Sequence, residues 1–148
     1  MGSTDGIVIL AESGYAAEVA SICAALGLPV RAIAGTGSAL AAATALGLEA
    51  ISWTGDIAAL PPGPVAITGG DGAERHTLRV RLADADRHAT TLIHPDATVG
   101  LAVEFGIGCI VSPGARITSN VVVGPGTLIN TGAVLSHDDR VGRDVTIS

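Results

Sequence analysis

The sequence predicts an α/β chain in two parts: a small parallel α/β domain over residues 1–90, then a β-solenoid of about three coils over residues 91–148. Three observations predict this class. Hydrophobic residues make up 48% of the chain and charged residues 15%, which is enough apolar surface to bury a core. Strand-length apolar runs alternate with Ala-rich stretches in the first part. In the second part, large apolar residues recur every six positions.

The first part contains four strand signals and two helix signals. In chain order they are a strand at Ile7–Ala11, a helix at Tyr15–Leu26 ending at Gly27, a strand at Pro29–Ala34, a helix from an N-cap at Ser38 to Leu46, and strands at Ala50–Trp53 and Val65–Thr68. Strands and helices that alternate at this spacing predict βαβ units and a parallel sheet covered by helices.

The second part has a period of six, which neither a helix nor a plain strand produces. The large apolar positions are Ile93, Val99, Phe105, Val111, Ile117, Val123, Ile129, Leu135, Val141 and Ile147. Residues four positions later are nearly all small. Glycines that we expect at the turns stand at 100, 106, 108, 114, 124, 126, 132 and 142. The pattern predicts a coil with three flat sides. The large residue of each hexad points to the axis of the coil, and the small residue fits at a corner.

A coil of three hexads places residues eighteen apart on top of one another, because adjacent strands lie roughly 4.8 Å apart. Asp138 is then expected to stack on Asn120, and His137 on Ser119. His137 follows the axial Leu135 by two positions and should point outward. A second polar column holds His94, Ser112, Asn130 and Ser148.

Charge and cysteine content exclude several classes of protein. The net charge is −6, and all eight basic residues are Arg, so we expect neither a nucleic-acid partner nor an anionic membrane surface. Cys23 and Cys109 fit neither a disulfide framework nor a zinc-ligand spacing, which favours small buried hydrophobes in a reducing compartment.

The apolar stretch 32–51 is interrupted by Gly and polar residues, and the N-terminus lacks a basic signal region. We therefore expect a cytoplasmic protein.

The stretches 93–97 and 129–138, with Asn130-Thr131-Gly132-Ala133 followed by His137-Asp138, resemble the hexapeptide acyltransferases. Within that group the chain is most similar to sugar O-/N-acetyltransferases of the sialic-acid and bacillosamine pathway type. The resemblance implies a Rossmann-like N-terminal domain, a left-handed parallel β-helix and a homotrimer. It also implies that acetyl-CoA is the co-substrate and that the acceptor is a sugar, a nucleotide sugar or another small polar molecule.

The imidazole of His137 is the candidate general base. Acetyl transfer from a thioester requires the attacking amine or hydroxyl to lose a proton, and histidine titrates near neutral pH. The family uses the matching histidine as its base. Asp138 could steady the imidazolium, and Asn130 could orient the acceptor or the tetrahedral oxygen. The alternative is an exposed histidine at a subunit seam that has no chemical role.

The resemblance also assigns acceptor binding to two turns of the N-terminal part. The family's Gly-x-Gly-Gly-His-x-x-Glu-Val turn corresponds to residues 11–19, where Gly14 and Glu18 match and Tyr15 replaces His. The family's Gly-Asp-Asn-x-x-Arg segment corresponds to residues 70–75, so Gly70 and Asp71 are further candidates. Glu12 brings a negative charge to the place where the family holds a phosphate, and Asp71 has a simpler interpretation as a helix cap.

Two alternative functions have to be weighed against acetyl transfer. The family continues for several coils beyond the position of Ser148, so we expect a C-terminally shortened chain, which could be a non-catalytic scaffold without a complete acetyl-CoA site. A metal hydrolase of the γ-carbonic anhydrase kind needs three converging imidazoles. Only His94 and His137 lie in the repeat region, while His76 and His88 precede it, so we expect no metal site.

Overall fold

The computed structural model describes residues 6–69 and 71–148. A four-stranded parallel sheet with strand order β3-β2-β1-β4 forms the centre of the N-terminal part. Its strands are β1 (Ile7–Ala11), β2 (Val30–Gly35), β3 (Glu49–Ser52) and β4 (Val65–Thr68). The helices are α1 (Ala16–Ala25), α2 (Ser38–Ala45) and α3 (Gly72–Asp84), with a short 3₁₀ turn at Ile57–Ala59. The predicted parallel sheet is confirmed: β1 and β4 have the predicted bounds, and β2 and β3 are each shifted by one residue.

Helices cover both faces of this sheet, which explains why its strands are continuously apolar. All five residues of β1 are buried. Helices α1 and α2 pack on one face through Val19, Ile22 and Ala43. Helix α3 packs on the other through Leu78 and Leu82.

The N-cap of α2 differs from the prediction, while the ends of α1 and α2 lie within one residue of the predicted ones. Ser38 does not cap α2: it is the first helical residue, and Gly37 is the N-cap with φ 49°. Only glycine adopts this left-handed backbone without strain, so the turn ends one residue earlier than expected. Asp71 does cap α3, because its side chain accepts the Glu74 amide while the Glu74 side chain accepts the Asp71 amide.

The repeat region, residues 91–148, contains ten two-residue strands in three parallel sheets. Sheet I holds β5 (Leu92–Ile93), β8 (Ile110–Val111), β11 (Leu128–Ile129) and β14 (Thr146–Ile147). Sheet II holds β6 (Thr98–Val99), β9 (Arg116–Ile117) and β12 (Val134–Leu135), and sheet III holds β7 (Glu104–Phe105), β10 (Val122–Val123) and β13 (Arg140–Val141). Every pair joins residues eighteen apart, as predicted: Val111 pairs with both Ile93 and Ile129.

The side chains that point inward from the three sheets form one core. Residues Val111, Ile117, Val123, Ile129 and Leu135 are buried in it, together with the smaller Cys109, Ala115 and Ala133. Both cysteines of the chain are buried and free.

The turns between the sheets share a left-handed residue every six positions. These residues are Ala102, Gly108, Gly114, Asn120, Gly126, Gly132, Asp138 and Asp144. Four of the glycines predicted at turns take this role. The others, 100, 106, 124 and 142, have ordinary φ angles, and three of these (100, 106 and 124) stand where the chain of the next coil approaches closely.

The outer face of sheet I packs against the N-terminal part. Leu92, Ile110 and Leu128 point outward from it and join the same core as α1 and β1. A parallel bridge between Val65 and Ala89 continues the N-terminal sheet to the start of the repeats. The predicted domain boundary at residue 90 stays a prediction, since the two parts share this core. No helix in residues 6–69 and 71–148 has the length and apolarity needed to cross a membrane.

Candidate active site

His137 and Asp138 form an exposed pair on the turn that follows β12. His137 Nδ1 lies 2.7 Å from Asp138 Oδ2, and the histidine side chain is 76% exposed. The outward direction predicted for His137 is therefore confirmed. Because an ionised carboxylate can only accept, Nδ1 carries the proton and Nε2 of the neutral ring is left with a free lone pair facing solvent.

The neighbouring carboxylate changes the acid–base properties of this pair. The hydrogen bond to Asp138, followed by its negative charge, raises the pKa of His137 above the ordinary 6.5. The hydrogen bonds from His137 and then from Asn120 lower the pKa of Asp138. At neutral pH the pair therefore consists of a carboxylate and a histidine that readily takes up a proton, which suits a general base.

The three sets of turns in the repeat region face different surroundings. We name them by the sheets they connect: turns I–II, turns II–III and turns III–I. Turns I–II contact α1 and the residue before it, since Tyr15 bonds to Ser112 and Asn130 and Glu18 bonds to Thr131. Turns III–I contact α3 through Asp144.

Turns II–III carry His137, and they make no hydrogen bond or ion pair to the N-terminal part within the residues that the structure describes. Sheet I and the turns at its two edges pack against the N-terminal part, so turns II–III lie on the opposite side of the coil. His137 consequently faces away from the parallel sheet of its own chain.

Asn130 and Tyr15 lie together, but apart from His137. The Tyr15 hydroxyl donates to Asn130 Oδ1 at 2.9 Å and lies 3.0 Å from Ser112 Oγ. Asn130 Nδ2 donates to Ser148 Oγ at 2.8 Å, which confirms the predicted stacking in this column. Burial, the largest influence, raises the pKa of Tyr15. Both side chains hold α1 against the repeats in this structure, and a role for either in acceptor binding stays a prediction.

Helix α3 is joined to turns III–I by a charged cluster that the sequence analysis missed. Arg75 is only 2% exposed, and it donates to the carbonyl oxygens of Gly126 and Asp144 and to Thr146 Oγ1. The Asp144 carboxylate accepts from Arg79 Nη2 at 2.8 Å and lies 3.0 Å from His76 Nδ1. Backbone carbonyls as partners leave no pattern in a sequence, so only the fold reveals this cluster.

A cavity of about 510 Å³ opens at the carboxyl ends of the parallel strands. Glu12 follows β1, Trp53 follows β3 and Asp71 precedes α3 in its lining, with Glu74, Thr77 and Arg81 from α3. Strand β1 lies between β2 and β4, where the strand order reverses, and ligands of open α/β sheets bind at such a point.

Of the predicted acceptor-binding residues that the structure describes, only Asp71 lines this cavity. Gly14 and Tyr15 do not, and Gly70 lies outside the described residues. Trp53 and Arg81 were missed, although the position of Trp53 as the last residue of a predicted strand was a usable signal. The Arg81 guanidinium lies 6.0 Å from the centre of the Trp53 ring. In residues 6–69 and 71–148, no three His, Cys, Asp or Glu side chains cluster as a metal site would require.

Comparison with solved structures points to one class of enzyme. No protein-family model and no curated protein sequence matches the chain. Among solved structures, it is similar to a histidine mutant of perosamine N-acetyltransferase from Caulobacter crescentus in complex with CoA and GDP-perosamine, with 30% identity and a TM-score of 0.82 over 95% of this chain and 67% of that one.

Two further structures share the fold. The PerB structure from the same organism, in complex with CoA and GDP-perosamine, has 28% identity and a TM-score of 0.74 over 95% of this chain and 67% of that one. The acetyltransferase domain of PglB from Neisseria gonorrhoeae has 24% identity and a TM-score of 0.78 over 95% of this chain and 69% of that one. With its parallel sheets and six-residue repeats, the chain belongs to the structural family of the hexapeptide-repeat sugar N-acetyltransferases.

Proposed function

We propose that this protein transfers an acetyl group from acetyl-CoA to the amine of a sugar, with His137 as the general base. The observation that carries the proposal is the exposed His137–Asp138 pair, which leaves Nε2 free in a chain that is similar to structures in complex with CoA and GDP-perosamine. In the proposed fold, the repeat region is a left-handed parallel β-helix and the N-terminal part is Rossmann-like.

The reaction that we propose balances as follows. The acceptor amine attacks the thioester carbonyl, and Nε2 of His137 takes a proton from the attacking nitrogen. The new C–N bond forms as the C–S bond breaks, and the proton passes from the imidazolium to the departing CoA sulfur. Asp138 stays ionised and stabilises the imidazolium during this step, because its carboxylate accepts from Nδ1.

The acceptor that we propose is a nucleotide-linked amino sugar held in the cavity at the carboxyl ends of the strands. GDP-perosamine, which is bound in three of the similar structures, is the first molecule to test. The carboxylates of Glu12, Asp71 and Glu74 line this cavity, while Arg81 is its cation. Because these carboxylates repel the phosphates of a nucleotide, the binding of the amino sugar without its nucleotide should be compared directly with that of the nucleotide-linked form.

We also propose that the active protein is a homotrimer. His137 faces away from the cavity of its own chain, so an acceptor held there would need to meet the His137 of a neighbouring copy. Light scattering should report a mass three times that of the chain, and a monomer that turns over at full rate would contradict this arrangement.

The decisive experiment measures CoA release against pH. Replacing His137 with Ala should lower kcat by about 10²–10⁴. The matched control is His94→Ala, which removes a half-buried histidine whose Nδ1 accepts from the nearby Asp96 amide, and which should leave kcat unchanged. No turnover by the unaltered protein with any amino sugar would favour the alternative of a non-catalytic scaffold.

The pH profile tests the role of Asp138. A base with a raised pKa is inactive when protonated, so kcat/KM should rise with pH through a value above 6.5. Asp138→Asn removes the charge but keeps a residue that tolerates the left-handed backbone at φ 67°. The rise should then move to lower pH, while the plateau falls. An unchanged profile would show that Asp138 does not act on the base.

A further inference from the structure

The polar network around His137 extends to the preceding coil of the repeat region. Asn120 Nδ2 donates to Asp138 Oδ1 at 2.5 Å, and Asp138 Oδ2 faces His137. Asn120 therefore donates to the carboxylate oxygen of Asp138 that does not bond to His137. It stands eighteen residues before Asp138, in the same left-handed turn position.

Arg140 fixes which way round the Asn120 amide lies. Arg140 Nη2 is 3.4 Å from Asn120 Oδ1, and its Nη1 donates to the Asn120 backbone carbonyl at 2.5 Å. A guanidinium can only donate, so the amide oxygen must face Arg140. The amide nitrogen, which is the donor, then faces Asp138.

We propose that Asn120 and Arg140 are positioning residues for the His137–Asp138 pair. This inference rests on the proposed function. The chain Arg140–Asn120–Asp138–His137 holds the carboxylate in the one orientation that keeps the proton on Nδ1. Exposed carboxylates turn freely between rotamers, and Asp138 is 64% exposed, so it needs a second anchor to stay in line with the ring.

The repeat itself supplies a safe substitution. Ala102 occupies the equivalent turn position one coil earlier with φ 56°, the same angle as Asn120. Alanine is therefore accommodated in this backbone, and Asn120→Ala should remove the amide without unfolding the coil. Ser119→Ala is the matched control, since it removes a neighbouring hydroxyl and keeps the Ser119 carbonyl that accepts the Asp138 amide.

Ring-nitrogen NMR of His137 tests the proposal without any turnover. The spectra would be assigned by comparison with His137→Ala, and they report the pKa and the tautomer of the ring. In Asn120→Ala, we expect the pKa of His137 to fall toward 6.5 and the neutral ring to gain the Nε2–H tautomer. Arg140→Met should shift both in the same direction by less, and Ser119→Ala should shift neither. An unchanged pKa and tautomer in Asn120→Ala would overturn the proposal.

Steady-state kinetics separates this inference from the proposed function. Where the unaltered protein transfers acetyl groups, Asn120→Ala should lower kcat roughly five- to tenfold, the scale of one lost hydrogen bond, with KM for acetyl-CoA unchanged. A rise in KM at constant kcat would contradict a positioning role. Absence of turnover in the unaltered protein would refute the proposed function, while the NMR result would still decide the role of Asn120.

Discussion

The two parts of this molecule bury their apolar residues in different ways. In the N-terminal sheet, whole strands such as β1 are buried, because helices cover both faces. In the repeat region each strand has two residues, one pointing to the common core and one pointing outward. The first design depends on how separate helices pack, whereas the second repeats one local environment every six residues. The difference teaches that a core with a regular repeat can be predicted from sequence. For a sheet covered by helices, the sequence predicts the strands but not which helix packs on which face.

The largest effect is expected from a charge on the axis of the repeats. Ile117 is 1% exposed in their core, so Ile117→Asp would bury an unpaired carboxylate. We expect a loss of at least about 4 kcal/mol in the free energy of unfolding. Urea denaturation followed by circular dichroism measures it. Val134→Asp is the matched control: Val134 is 60% exposed on the same sheet and should cost no more than about 0.5 kcal/mol. Equal losses would contradict the inward and outward assignment.

The next effect concerns the joint between the two parts. Arg75→Met removes a buried guanidinium that bonds to two carbonyl oxygens of the repeats, and leaves those oxygens without this donor. We expect a loss of about 3 kcal/mol. Calorimetry should then resolve separate transitions for the two parts. Arg143→Met, on the same turn as Asp144 but exposed, should leave the melting curve unchanged. A single unshifted transition in Arg75→Met would show that the apolar contacts of sheet I alone hold the parts together.

A smaller effect is expected inside the parallel sheet. A methyl group at Gly35 would lie against the backbone carbonyl of Ala11 on the neighbouring strand. Because backbone cannot move aside as a flexible side chain can, Gly35→Ala should cost about 1–3 kcal/mol in unfolding free energy. Gly14 has no atom within 4 Å of the corresponding position, so Gly14→Ala is the control and should keep full stability. If Gly14→Ala weakens acceptor binding while stability is kept, its predicted role in the site gains support.

The smallest effect is expected at Tyr15. Tyr15→Phe keeps the ring and removes the hydroxyl that bonds to Ser112 and Asn130, so we expect a loss of about 1 kcal/mol. Thermal denaturation would detect it. Ser21→Ala on the exposed side of α1 removes only a bond within the helix and should be neutral. A Tyr15→Phe protein that keeps its stability but loses acceptor binding would return Tyr15 to the acceptor site.

Much of the fold could be predicted because its signals are local. The buried strand at Ile7–Ala11, the cap at Asp71 and the six-residue period each follow from neighbouring residues. The eighteen-residue register also follows from that period, which is why the stacking of Asn120 on Asp138 and of Asn130 on Ser148 was predictable. The cap at Gly37 was missed, because serine is itself a preferred N-cap residue and only the backbone angle shows that Ser38 is already helical.

The candidate site divides along the same line. The sequence alone determined that His137 points outward next to a carboxylate, since its distance from the axial Leu135 is set by the period. Only the tertiary structure decided that this turn lies opposite the N-terminal sheet, that Tyr15 bonds to Asn130, and that Arg75 is buried against the carbonyl oxygens of the repeats. Those contacts join residues from distant parts of the chain, and some of the partners are backbone atoms that every residue possesses. No pattern of side chains in the sequence therefore predicts them.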